Sequence, residues 1–198
     1  MIKLIIFDFS DVCFSLEEPP FLQKFAREHH LSYPEFEAAY MELLKKAEVG
    51  EDTGINLWEK ILRKYNLKGD PQQIIKEMMD IKYAYQDILN LTQKLHQKYK
   101  TAYFTNYNED YWKHIEQRFD LKPYFDFGVV SFQVKSRKPE IHGFKVILDH
   151  FNVKPEETVF IDDSAKNLVE PGKIGIHIIL FQNKEQLVEE LRKRKITI

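Results

Sequence analysis

Leu4-Ile5-Ile6-Phe7-Asp8-Phe9-Ser10-Asp11-Val12-Cys13 decides how the chain folds. Leu4 to Phe7 is an unbroken apolar run without polar alternation, the pattern of a strand covered on both faces in the middle of a parallel sheet. The run stops on a carboxylate. In an open parallel sheet ligands bind in the crevice beyond the carboxyl ends of the strands, so Asp8 stands where chemistry is done; the bland alternative is a loop cap.

The plan recurs along the chain. Thr101-Ala102-Tyr103-Phe104 runs into Thr105-Asn106, Phe127-Gly128-Val129-Val130-Ser131 leads to Arg137-Lys138-Pro139, and Thr158-Val159-Phe160-Ile161 runs into Asp162-Asp163-Ser164. Helical patterns from about 109 to 119 and 140 to 151 separate these stretches, a helix from 164 to 173 is expected to be interrupted at Pro171-Gly172, and a strand from 175 to 181 with a helix from 184 to 194 completes the alternation. Alternating strands and helices predict an α/β fold whose parallel strands deliver polar side chains to one edge.

A hydroxyl and an amide at Thr105 and Asn106, with backbone N–H groups opening the next helix, would make an oxyanion or phosphate cradle, although Thr and Asn are also common turn formers. Pro139 at the head of a helix holds the residue before it extended, which fixes Lys138 at the crevice edge in preference to Lys135 and Arg137. Asp162 and Asp163 are adjacent acids with no basic neighbour, an unfavourable pair unless something positive sits between them and Asp8. Mg²⁺ is the natural candidate, since it prefers hard oxygen ligands and is held by one or two carboxylates together with substrate phosphate.

From about Pro20 to about Leu95 the periodicity is helical, with Phe21, Phe25 and Ala26, then Phe36, Ala39, Tyr40 and Leu43, then Ile55, Trp58, Ile61 and Leu62 at three- and four-residue intervals. Prolines open these helices at Pro19-Pro20, Pro34 and Pro71. Trp58, Tyr83 and Tyr85 are read as core aromatics, and His29-His30 as a polar helix end. Lys45 and Lys46 are the residues expected to reach over the crevice.

Composition narrows the partners. The 198 residues are 43% hydrophobic and 30% charged with a formal charge of -2, which leaves no electrostatic footprint for nucleic acid. The basic run Arg192 to Lys195 suits a solvated helix end. The N-terminal apolar run is too short for a membrane span or a signal-peptide core, so a cytoplasmic protein without membrane contact is expected. Cys13 is the single cysteine, which excludes an intrachain disulfide and reads as a packed, inert thiol.

Asp8, Thr105-Asn106, Lys138-Pro139 and Asp162-Asp163, in that order and with a helical insertion after the first, resemble the haloacid dehalogenase-like hydrolase superfamily with a type 1 helical cap. Phe160-Ile161-Asp162-Asp163-Ser164 followed by Asn167, and Arg137-Lys138-Pro139, carry the resemblance most specifically. The branch it is most similar to contains sugar-phosphate phosphatases and uncharacterised hydrolases with an Asp-Asp fourth motif. The resemblance implies a Rossmann-like parallel sheet with helices on both faces, in a core of residues 1–15 and 89–198, and a cap of residues 16–88 that chooses a small phosphorylated metabolite. It implies Asp8 as nucleophile, Thr105 and Asn106 on the transferring oxygens, Lys138 neutralising Asp8 and phosphate, and Mg²⁺ held by Asp8, the Ser10 carbonyl and Asp163 with Asp162 beside it.

One departure matters. Phosphatases of the family place a second aspartate two residues after the nucleophile as general acid/base; here that residue is Ser10, and Asp11 stands where glycine is expected. Losing a positioned acid costs roughly 10²–10⁴-fold in rate and tells most on poor leaving groups. A Mg²⁺-dependent phosphatase favouring good leaving groups is therefore expected, with Asp11 as a possible stand-in. A catalytically impaired phosphate-binding relative is the alternative, and a 2-haloacid dehalogenase, which would lack the acidic pair, is the third reading.

Overall fold

In the computed structural model, which describes residues 1–198, β1 (Leu4–Phe7) is buried at every residue and lies between β2 (Lys100–Thr105) and β4 (Thr158–Asp162). β3 (Phe127–Val130) pairs outside β2 and β5 (His177–Leu180) outside β4, so the order is β3-β2-β1-β4-β5 with every pair parallel. The missing polar alternation in β1 follows from this central place, where neither face meets water. β5 at the edge is shorter than expected, and only its Ile179 is buried.

Side chains of β1 alternate between two apolar layers, as strand geometry requires. Leu4 and Ile6 pack with Phe144, Ile147 and Leu168 from α8 (Ile141–Phe151) and α9 (Ala165–Lys173). Ile5 and Phe7 belong to the layer that includes Leu91 and Leu95 of α5 (Gln86–His96), Ile115 of α6 (Glu109–Arg118) and Leu187 and Leu191 of α10 (Lys184–Lys193). The sheet is thus covered on both faces, the Rossmann-like arrangement expected. Gly128 is required where it is, because a Cβ there would meet the ring of its cross-strand neighbour Tyr103 at 1.8 Å.

The chain steps outward from β1 through β2 to β3, then returns to β4 on the other side of β1. That reversal opens a crevice between the carboxyl ends of β1 and β4. Because Phe7 is in register with both Tyr103 and Ile161, Asp8, Thr105 and Asp162 all arrive at that edge.

The insertion is helical throughout: α1 (Glu18–Glu28), α2 (Tyr33–Glu48), α3 (Gly54–Lys64) and α4 (Pro71–Asp80). α5 begins at Gln86, so a division after residue 88 would fall within its first turn. Phe25, Phe36 and Trp58 of the insertion share one apolar cluster with Phe9, Trp112 and Phe125 of the sheet layer. The Tyr111 hydroxyl on α6 lies 2.9 Å from that of Tyr40 and accepts from Trp58 Nε1 at 3.0 Å.

Four local expectations change. Ser131 ends no strand; it opens a short helix, α7 (Ser131–Val134), closed by Lys135 in the left-handed region at φ 51°. Pro139 stands two residues ahead of α8 rather than in it, after a cis peptide bond. α9 runs through Pro171 without interruption, its end closed by bonds from Gly175 N to the Gly172 carbonyl and from Ile176 N to the Pro171 carbonyl. Tyr83 is 59% exposed and is no core residue, whereas Trp58 is fully buried.

Candidate active site

Lys138 is the centre of the site. Its side chain is almost wholly buried, and Nζ lies 2.5 Å from Asp8 Oδ1 and 2.7 Å from Asp162 Oδ2. A lysine is buried in this way only when its charge is answered. Burial works against the ammonium, but Asp8 and then Asp162 outweigh it and hold the group above its ordinary range. The positive charge that the acidic pair demands is thus supplied first by the chain itself. Lys138 is aimed by its backbone N–H, which donates to Asn106 Oδ1 at 2.8 Å, rather than by Pro139 heading a helix. Lys135, which closes α7, is exposed.

The two acids of β4's end play different parts. Asp162 is fully buried and accepts from Ser164 N at 2.8 Å and from Asn167 Nδ2 at 3.1 and 3.2 Å, so its oxygens are largely committed. Asp163 is exposed at the rim and lines the cleft. Asp8, Asp162 and Asp163 each offer an oxygen within 4.8 Å of the others. Burial pushes the Asp8 carboxyl up, Lys138 draws it back, and Asp162 pushes it up again; the net direction is upward. Asp163 is also raised, by burial and then by Asp162 and Asp11. Three carboxyls beside one ammonium that pairs with only two of them, Asp8 and Asp163 both resisting ionisation, form a hard-oxygen donor set that fits a divalent cation such as Mg²⁺.

Thr105, the last residue of β2, is buried and lines the cleft with Asn106. The loop that carries them is clamped from β3's side: Tyr107 N donates to Ser131 Oγ at 3.0 Å, and Ser131 Oγ donates to the Tyr107 carbonyl at 3.2 Å. Asn108 Oδ1 then accepts from Tyr111 N at 3.0 Å to start α6. Sequence reasoning had no means to find Ser131 in this role, since serine after a strand is an ordinary turn residue.

After Asp8 the chain turns sharply. Phe9 N donates to Asp8 Oδ1 at 2.5 Å, and the Ser10 hydroxyl meets the Tyr107 hydroxyl at 2.9 Å. Asp11 takes φ 56°, a region that glycine favours, and accepts from the Tyr85 hydroxyl at 3.3 Å. Cys13 is buried, and burial raises its thiol well above the ordinary range, as expected of an inert side chain.

Asp8, Ser10, Asp11, Thr105, Asn106, Lys138 and Asp163 all face one cleft of about 490 Å³. Its roof comes from α1 and α2 and includes Glu18, Met41, Leu44, Lys45 and Glu48. Lys45 reaches the cleft as expected; Lys46 is exposed and outside its lining. The pairing of Arg137 with Glu48 at 2.6 Å across the cleft was not foreseen, because a glutamate ending a helix reads as solvated.

Known proteins resemble the chain in sequence and in fold. The chain matches the haloacid dehalogenase-like hydrolase family over residues 15–196, a span that begins after Asp8 and takes in Thr105, Lys138 and the acidic pair. It is 38% identical over 74 residues to bifunctional epoxide hydrolase 2 of Rattus norvegicus, a match that covers 37% of this chain and only 13% of that protein. It is 26% identical over 201 aligned residues to glyceraldehyde 3-phosphate phosphatase of Pyrococcus furiosus, covering 91% of this chain and 81% of that one. A HAD family enzyme from Bacteroides thetaiotaomicron, solved in complex with magnesium and inorganic phosphate, superposes with a TM-score of 0.81 at 23% identity, over 94% of this chain and 99% of the other. A family match running through nearly the whole sheet and the entire insertion shows the membership: the chain belongs to the haloacid dehalogenase-like hydrolases.

Proposed function

We propose that the chain is a Mg²⁺-dependent phosphatase that hydrolyses a small phosphorylated metabolite through an aspartyl-phosphate on Asp8. The observation that carries this reading is the Lys138 ammonium wedged between two buried carboxylates, 2.5 Å from Asp8 and 2.7 Å from Asp162, at a crevice where the strand order reverses. A phosphatase among the relatives and a magnesium- and phosphate-bound structural neighbour support it.

In this mechanism an Asp8 oxygen attacks phosphorus and the ester P–O bond breaks; water then attacks the same phosphorus and returns Asp8 and inorganic phosphate. Thr105 and Asn106 hold the transferring oxygens, and Lys138 neutralises charge on Asp8 and on the phosphoryl group. Asp8, Asp163, the Ser10 carbonyl and the neighbouring Asp162 are the residues that would hold Mg²⁺, which when bound adds positive charge against the phosphate oxygens. Residues 1–15 and 89–198 act as the catalytic core and residues 16–88 as the substrate-selecting cap. The acidic pair argues against a 2-haloacid dehalogenase.

Ser10, tied to Tyr107, favours one competing reading, a phosphate-binding relative without turnover. Phosphate release from a metabolite panel, with and without Mg²⁺, separates the two. Release that requires Mg²⁺ is expected; no release over hours, or release indifferent to metal, would overturn the phosphatase reading.

A further inference from the structure

Three carboxyl groups that line the cleft, Asp11, Glu18 and Glu48, have no part in that mechanism. Glu18, the first residue of α1, lines the cleft with Asp8, Ser10, Asp11 and Lys138, and its Oε2 is buried without a hydrogen-bond partner. Buried polar atoms are seldom left so unless something outside the chain completes them.

The other candidates for proton transfer have partners. The Ser10 hydroxyl meets that of Tyr107, Asp11 accepts from Tyr85 at 3.3 Å through one oxygen, Glu48 is paired with Arg137 at 2.6 Å, and Asp163 belongs to the acidic cluster. Glu18 is faced by Lys82, Glu17 and Asp11, and its charge is felt at Tyr40, Tyr107, Tyr111 and Glu48. Lys82 does not claim it, being paired with Glu17 at 2.8 Å. Burial pushes the Glu18 carboxyl above its ordinary value by more than Lys82 draws it back, which suits a group that must enter the reaction carrying a proton.

We propose that Glu18 transfers the proton that the residue at position 10 cannot, an inference that rests on the phosphatase reading. As Asp8 bonds to phosphorus and the ester P–O bond breaks, the leaving alkoxide oxygen takes the Glu18 proton and departs as an alcohol. The Glu18 carboxylate then takes a proton from water as the water oxygen bonds to phosphorus. The Asp8–phosphorus bond breaks, Asp8 is restored as a carboxylate, and Glu18 ends protonated as it began. The acid/base has thus moved from the loop after β1 to the first turn of the insertion.

Glu18→Gln, assayed with Mg²⁺ on a sugar phosphate and on p-nitrophenyl phosphate, tests this. On the sugar phosphate kcat/KM should fall by about 10²–10⁴-fold. p-Nitrophenol needs no protonation to leave, so the first step should survive and the second stall. The expected signature is a burst of about one p-nitrophenol per enzyme, then slow turnover, with a phosphoryl adduct on Asp8 by mass spectrometry. Unchanged turnover on both substrates, or an equal loss on both without a burst, overturns the role of Glu18 and leaves the phosphatase standing. A wild type inert towards both substrates overturns the phosphatase reading and this one with it. Should Glu18→Gln fail to fold, the wild type still decides: a proton donor makes kcat/KM shallow across aryl phosphates of rising leaving-group pKa, and a steep dependence overturns the proposal.

Discussion

On the floor of the cleft, the buried charged groups that the sheet delivers are met by one another and by the sheet's own loops, and Asp163 alone stands exposed at the rim. Lys138 bonds Asp8 and Asp162, and Asp162 is further bound by Ser164 N and Asn167. On the roof the helices bring in groups that are answered only in part. Glu48 reaches Arg137 across the gap, while Glu18 Oε2 and Arg137 Nε are buried and unpartnered. The difference teaches which part is preorganised. The buried charges of the floor are set in place by the fold itself, whereas the roof leaves Glu18 Oε2 and Arg137 Nε for whatever enters the cleft to complete.

The most direct way to break this contrast is at the floor. Asp8→Asn keeps the shape and removes the nucleophile, and should lower Mg²⁺-dependent phosphate release on the order of 10⁴-fold or more. Residual activity near wild type would show that the floor is not where the bond breaks. Lys138→Ala leaves Asp8 and Asp162 facing each other; unfolding free energy in urea should drop by about 3–5 kcal/mol, and activity with it. Lys135→Ala, on an exposed residue, should stay within about 0.5 kcal/mol. Equal behaviour of the two lysines would refute the placement of the central cation.

Asp163→Asn sharpens the division of labour between the adjacent acids. Titration calorimetry with phosphate present should show Mg²⁺ affinity reduced about 10–100-fold or more, with little change in folding stability. On the roof, the effect to look for is in the pH dependence of stability. Glu18 is raised above 4.5 when folded, so above that pH the native chain keeps a proton that the unfolded chain has lost, and stability falls as pH rises towards the folded value. Glu18→Gln lacks this slope. The wild type should lose ground to it across that window, by at most about 1.4 kcal/mol for each pH unit traversed, as read from urea unfolding at several pH values.

The sheet was legible because its signals are local. An apolar run without alternation names a buried strand, and the acid or hydroxyl that ends it lands at the crevice whatever the rest of the chain does. What escaped the sequence depends on meetings between distant residues. Asp162 and Asp163 pointed to a metal as the missing positive charge, but the nearest cation comes from Lys138, 24 residues earlier in the chain. Pro171 reads as a helix breaker, yet α9 runs on for two residues past it before the turn that takes up its carbonyl. Glu18 at a helix start is an everyday sign of favourable dipole interaction, and only the roof's placement over Asp8 gives it another meaning.

The seam between insertion and sheet governs traffic as well as shape. Trp58 and Tyr40 meet on one hydroxyl of α6, and Phe25 and Phe36 lie in the same apolar cluster as Phe9 and Trp112. Swinging the insertion away would bare several such rings, at about 1.5–3 kcal/mol apiece. Passage in and out therefore falls to the mouth, where Leu16 and Met41 are each 38% exposed. The girth of that doorway, rather than the swing of a lid, sets the largest molecule that the cleft can admit.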